Sequence, residues 1–244
     1  MNITWTSKQG SKRKLNSDAV AIAYVEQYLI AIIVDAAERE FDGRLLIGIN
    51  DKGKRLAQHW ADSCLCDIVS HVAYTDENVL IDILRSAQSQ LRKHYLHDIA
   101  SYGLLILNRD SYQFDWWFTG DCRVGTYQDQ CEINWLNTPH RLVNQTFING
   151  QNSHKTEGNA SVQNQLLTRS LNAKRFSAPE KVSSCLDSTQ GLVLATDGYW
   201  CEHLFQGGNL DDLEDDASRL MMSQGNMILK NEADTPNLFV CYKQ

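Results

Sequence analysis

Apolar residues recur along this chain with two different periods, and the period changes in blocks. Alternating or short continuous apolar runs, the marks of strands, cover residues 2–6 weakly, then 19–25 and 29–34. The last of these is a continuous Ile- and Val-rich run, as expected of a strand buried on both faces. From Asp51 the spacing lengthens. Leu56, Trp60, Cys64, Ile68 and Val72, then Val79, Ile83, Ala87, Leu91 and Tyr95, fall near helical spacing and predict two long amphipathic helices. Alternation returns over 101–107 and 113–119, joined as a hairpin by the turn-like Asn108-Arg109-Asp110-Ser111, and over 123–127 and 132–136 as a second hairpin.

The stretch 144–164 is polar, rich in Asn, Gln, Ser and Gly, and has no clear period, which reads as a long surface excursion. Beyond it the pattern predicts a short helix over 162–171, a strand over 192–196, a helix near 210–223 and a final strand over 238–242. Strands and helices in blocks favour an α+β fold over a doubly wound parallel sheet.

Three of the apolar runs end at a carboxylate. The run 29–34 stops at Asp35, the run 116–119 passes through Gly120 to Asp121, and the run 191–196 stops at Asp197-Gly198. One such Asp is explained by turn or helix capping. Three side by side would repel one another and resist burial unless a cation sat among them. Carboxylate oxygens and water suit Mg²⁺ or Mn²⁺, whereas zinc asks for His or Cys ligands, and the seven histidines show no HExxH-like spacing.

Composition narrows the class. The chain of 244 residues has three prolines, no evident linker and no apolar run near the ~20 residues of a membrane span, so one domain over 1–244 is expected, with no membrane partner. The basic, polar start lacks the apolar stretch of a secretory signal, and seven cysteines without framework spacing suggest reduced thiols in the cytoplasm. A net charge of -7 argues against nucleic acid as a general partner. Lys8, Lys12, Arg13 and Lys14 form a basic cluster that is either a solvated turn, a flexible arm or an anion-binding corner, and the acidic run 211–216 reads as a solvated helix face or N-terminal turn.

Several short elements together resemble a known family. Arg13-Lys14-Leu15-Asn16-Ser17-Asp18 looks like the Arg-x-x-Asn-x-Asp opening of bacterial metal-dependent protein phosphatases of type 2C, the PPM family. Ile33-Val34-Asp35-Ala36 resembles that family's strand ending in Asp-Gly, Gly120-Asp121-Cys122-Arg123 its Gly-Asp-Ser-Arg turn, and Ala195-Thr196-Asp197-Gly198-Tyr199-Trp200 its Ser-Asp-Gly-hydrophobic-Trp element. Thr138-Pro139-His140, Leu167-Thr168-Arg169-Ser170-Leu171 and Asn237-Leu238-Phe239-Val240 are similar to later elements in the same order.

The resemblance implies a four-layer α/β/β/α sandwich of two antiparallel sheets flanked by helix pairs, with a flap-like excursion near 144–164. It further implies two Mn²⁺ or Mg²⁺ ions bridged by Asp35, with the Ala36 carbonyl and Asp197 as further ligands and Asp121 binding a third, looser ion. Asp18 would act from behind the ligands, Arg13 would hold the substrate phosphate in a bidentate contact, and His140 would either protonate the leaving alkoxide or serve a structural role. The activity implied is hydrolysis of phosphoserine or phosphothreonine in a protein, a kinase or its target, by a metal-activated water.

Two departures bear on that activity. The family's Asp-Gly-Met-Gly-Gly is here Asp35-Ala36-Ala37-Glu38-Arg39, and its terminal Asp-Asn is Pro236-Asn237, which leaves Asp234, two residues earlier, as the nearest substitute ligand. Two functional classes therefore stand: a working phosphatase, and an inactive relative that binds a phosphoprotein or regulatory partner. A hydrolase with an N-terminal nucleophile would need processing of Met1-Asn2-Ile3.

Overall fold

Period-2 burial sorts the strand residues between two layers. In the computed structural model, which describes residues 1–42, 44–71, 75–128, 132–144 and 166–242, Ala19, Ala21, Ala23, Ile30, Ile32 and Val34 face a helical layer. Their alternates Val20, Ile22, Leu29, Ala31 and Ile33 face a second sheet, packing with Trp5, Trp116, Phe118, Leu194, Leu220 and Met222. A run that looks continuously apolar is thus two interleaved faces, each buried against a different partner.

The strands are β1 (Asn2–Lys8), β2 (Asp18–Val25), β3 (Tyr28–Ala36), β4 (Glu40–Phe41), β5 (Arg44–Leu45), β6 (Ile99–Asn108), β7 (Gln113–Thr119) and β8 (Arg123–Gln128). They continue with β9 (Glu132–Trp135), β10 (Leu171–Asn172), β11 (Glu180–Cys185), β12 (Gly191–Ala195), β13 (Ala217–Ser223), β14 (Ile228–Ala233) and β15 (Leu238–Tyr242). One sheet has the order β14-β1-β13-β12-β8-β9, and the other β11-β7-β6-β3-β2-β15, with β10 paired to β6.

Helices cover the outer face of the larger sheet. Leu56–His59, a wide π-type turn Trp60–Cys64 and Leu65–Ser70 run on as one rod. Glu77–Gln90 starts at Asp76, whose carboxylate accepts the N–H groups of Asn78 and Val79, an N-cap of the usual kind. Both helices present the apolar stripe the sequence predicts, with Leu56, Trp60, Cys64, Ile68, Leu80, Leu84 and Leu91 in one cluster. Among the described residues no helix is long and apolar enough to cross a membrane. The outer face of the smaller sheet carries Tyr199 and Trp200 of the wide helical turn Gly198–Phe205, packed with Ala195, Leu213 and Ala217.

Three expectations change. The sheets are mixed rather than antiparallel: β14 runs parallel to β1 and β15 parallel to β2, an orientation that side-chain periodicity does not encode. The helix expected near 210–223 is instead a turn followed by β13. Leu210, Leu213, Ala217 and Leu220 imitate helical spacing, but Ser218, Leu220 and Met222 point inward with period 2. The helix expected over 162–171 falls partly outside the described residues; within them Leu167 bridges to Arg141 and Leu171 begins β10. The excursion 144–164 lies outside the described residues beyond Asn144. Strands β11 and β14 escaped the pattern because both are largely exposed and polar.

Candidate active site

The same alternation that buries Val20 and Ile33 between the sheets carries Asp18 and Asp35 to the open end of that layer. They are direct cross-strand partners in β2 and β3, and Asp35 stands opposite Ser101 of β6 on its other side. Ser101 continues the row: its Oγ donates to Asp121 Oδ1 at 2.6 Å and accepts the Asp121 N–H at 3.0 Å. This close approach needs Gly120, which has φ +100°, and at which a Cβ would lie 2.1 Å from Ser101 Oγ and 2.7 Å from its Cα.

The smaller sheet closes the site from the other side. β12 ends at Ala195; Thr196 then donates its hydroxyl to Asp18 Oδ2 at 2.9 Å while receiving the Ser218 N–H at 3.0 Å. Asp216, just before β13, is buried and accepts the N–H groups of Gly10 (2.9 Å) and Ser17 (2.7 Å), shaping the loop between β1 and β2. Asp215 accepts Arg13 Nε at 2.6 Å. Asn237, 1% exposed, donates to Ser7 Oγ and to the Asp18 carbonyl and accepts the Trp5 indole N–H, so β15 is bolted to both sheets at the site.

Negative charge is in excess here. Burial, then the charges of Asp18, Asp197, Asp121 and Asp215, hold Asp35 well above the usual carboxylate range. Burial and Asp216 do the same to Asp18, against hydrogen bonds from Ser218 and Thr196. Asp197 is pushed up to about 7 by burial, Asp121 and Asp215, even though Arg141 pulls it back. Asp216 rises to about 6, chiefly from burial.

Arg141 is the residue sequence reasoning missed. It is 4% exposed, with Nε 2.8 Å and Nη2 2.7 Å from Asp121 Oδ2, and Nη2 also 2.6 Å from Asp197 Oδ2. Its guanidinium lies 4.6 Å from the centre of a Trp200 ring, whose indole N–H donates to the Asp121 carbonyl. No local signal marked it, since a lone Arg after His140 in a stretch of apolar and neutral residues reads equally as a solvated side chain. Asp215 and Asp216 were missed for a different reason: they directly precede β13, which was read as a helix with these carboxylates on its solvated face.

His140 is a strap. Its Nδ1 accepts the Gly120 N–H at 3.0 Å, its Nε2 lies 3.1 Å from Glu180, and its ring stacks on Phe118 at 4.8 Å. Burial lowers its pKa, against the pull of Glu180. Ala36 follows Asp35 with its N–H on the Ser17 carbonyl. Asp234 is turned outward: it accepts the Gln9 N–H at 2.8 Å and the Asn16 amide at 3.4 Å, and stands exposed. Glu38 accepts the N–H groups of Lys14 and Leu15, holding the basic turn. Lys12, Arg13, Arg141, Asp197 and Asp215 share the wall of a cleft of about 670 Å³.

The donor set fits a hard divalent cation on the Asp18–Asp35 side. Asp18 Oδ1 is buried with no hydrogen-bond partner, and the groups beside the pair are oxygen donors, the Thr196 and Ser101 hydroxyls among them. It fits less well on the Asp121–Asp197 side, where Arg141 already supplies the positive charge; on neither side, among the described residues, do three His, Cys, Asp or Glu side chains converge on one point.

Two face-packed sheets, a helical layer and carboxylates at the open end of the inter-sheet layer define a fold class: the chain has the fold of the bacterial PPM-type serine/threonine phosphatases. It is similar to the serine/threonine phosphatase Stp1 from Staphylococcus aureus, with a TM-score of 0.69 at 14% identity over 92% of this chain and 95% of that one. The S. agalactiae serine/threonine phosphatase matches with 0.64 at 17% over 91% and 99%, and the PPM phosphatase MsPP from Mycobacterium smegmatis with 0.61 at 14% over 91% and 98%. No protein-family model and no curated protein sequence matches the chain.

Proposed function

We propose that this chain is a metal-dependent phosphatase of phosphoserine or phosphothreonine in proteins. The observation that carries the reading is the row Asp18, Asp35, Ser101, Asp121, closed by Asp197 across the inter-sheet gap and carrying an unpartnered buried oxygen at Asp18. A Mn²⁺ or Mg²⁺ ion held by Asp35 and the Ala36 carbonyl beside Asp18, and by Asp197 where Arg141 gives it up, would supply a water acidic enough to ionise near neutral pH.

The chain's own residues divide the remaining work. Arg13, with Lys12 beside it on the cleft wall, takes the substrate phosphate, and Asp215 fixes its guanidinium through Nε. Asp216 holds both ends of the loop that carries Arg13, at Gly10 and Ser17, and Glu38 holds its middle at Lys14 and Leu15. Asp18 is oriented by Thr196 and positions Asp35 across the β2–β3 pair. His140 aligns Gly120, and through it Asp121; its Nδ1 is committed to the Gly120 N–H, which supports positioning over proton donation.

The test is turnover of p-nitrophenyl phosphate and a phosphothreonine peptide with added Mn²⁺, beside Asp35→Ala and Asp197→Ala. The expected result is Mn²⁺-dependent turnover lost in both variants. Turnover that is absent with excess Mn²⁺, or that survives both substitutions, sinks the reading. The second reading, a phosphoprotein-binding relative without turnover, is favoured by Arg141 between two carboxylates and by Asp234 facing away; it predicts peptide binding that depends on Arg13 and no hydrolysis.

A further inference from the structure

We infer that Arg141 is the resident counter-cation of the Asp121–Asp197 pair, and that its guanidinium must leave Asp197 before that pair can ligate a divalent ion. The inference rests on the phosphatase reading for the kind of ion, and on the chain's own geometry for the rest.

A guanidinium this deeply buried is stable only where its charge is matched and its N–H groups are taken up. Arg141 meets both conditions with two carboxylates at once, the ring of Trp200 beneath it and Cys201 Sγ 3.4 Å from Nη1. Its backbone is pinned on both sides: the His140 N–H bonds to the Gly120 carbonyl, and Arg141 bridges to Leu167. The side chain is therefore aimed at the pair by the fold and does not reach it by chance from a loose loop. It also has somewhere to go, because it lines the same cleft as Lys12 and Arg13. On release it would stand on a wall that carries Lys12 and Arg13 together with Glu202, Glu214 and Asp215.

Two consequences follow from one cation replacing another. The Asp121–Asp197 side carries one resident positive charge against its two carboxylates in the metal-free chain and is thus only partly neutralised. Metal affinity at this pair is held down by the contacts Arg141 must give up.

The test is Mn²⁺ binding to the full, metal-stripped chain at pH 7.5, followed by the paramagnetic resonance signal of free Mn²⁺, for the wild type, Arg141→Met and Arg141→Lys. Met keeps an apolar stem against Trp200 and removes the charge; Lys keeps a charge and loses the fork. Arg141→Met is expected to bind Mn²⁺ at least tenfold more tightly, or to take up one more ion per chain, with Arg141→Lys in between. In chelator, Arg141→Met is expected to melt lower than wild type and to recover that loss when Mn²⁺ is added. Unchanged or weaker Mn²⁺ binding in Arg141→Met overturns the inference; if that variant fails to fold, unchanged or weaker binding in Arg141→Lys does so. Turnover is not part of the readout. A wild type that binds Mn²⁺ and hydrolyses nothing sinks the phosphatase reading alone, whereas Arg141 variants no tighter than an active wild type sink this inference alone.

Discussion

Asp18 and Asp35 stand directly opposite each other across β2 and β3, at a cross-strand position where like charges weaken a sheet. The fold tolerates the pair because Thr196, Ser218 and Asn237 tie Asp18 in place. Asp35→Asn should therefore stabilise the metal-free chain at pH 8 while abolishing turnover. Urea unfolding in chelator measures the first effect. A less stable Asp35→Asn would mean that the carboxylate contributes favourably without an ion.

The raised carboxylates also set the pH dependence. Asp197 titrates near 7 in the fold against an ordinary 3.8, so between these values the folded chain binds more protons than the unfolded one, and its stability falls as pH rises. Asp216, near 6, acts in the same direction. Calorimetry of the metal-free chain should give a higher melting temperature at pH 5.5 than at pH 8. A flat or rising profile over that window contradicts the picture of an under-neutralised cluster.

Gly120 turns the chain from β7 into the Asp121 position against Ser101. Gly120→Ala places a methyl group into Ser101 at a positive φ, and should lose roughly 2–4 kcal/mol of stability. Thermal unfolding measures the loss; a change below about 0.5 kcal/mol, the range of an ordinary surface substitution, would show that the backbone there relaxes freely.

His140 separates positioning from proton transfer. An asparagine oxygen can accept the Gly120 N–H much as Nδ1 does, so His140→Asn should stay within about tenfold of wild-type kcat, whereas loss of a general acid costs about 10²–10⁴-fold. The kcat of His140→Asn and the acidic limb of its pH profile decide between them.

How much of this was legible in the sequence follows from what a one-dimensional pattern can carry. Asp35, Asp121 and Asp197 were visible because each ends an apolar run, and a strand end is a fixed place in a sheet. Arg141 was invisible as a site residue because its partners are 20 and 56 positions away, and nothing local distinguishes a buried guanidinium from a solvated one. β13 was misread because Leu213 and Ala217 belong to one cluster around Tyr199 and Trp200 although they sit on different elements, so their spacing imitates a helix face. The parallel pairings of β14 and β15 depend on connections, which leave no periodic trace.

Asn237 has a consequence for how the protein is made. Its side chain joins Trp5 and Ser7 to residues more than 200 positions later, and it also grips Asp18. Closures of that span are among the slowest contacts to form. The carboxylate row then lacks its brace until β15 has left the ribosome and added to β2. A chain in which β15 has not yet added to β2 therefore has an unbraced acidic edge at Asp18.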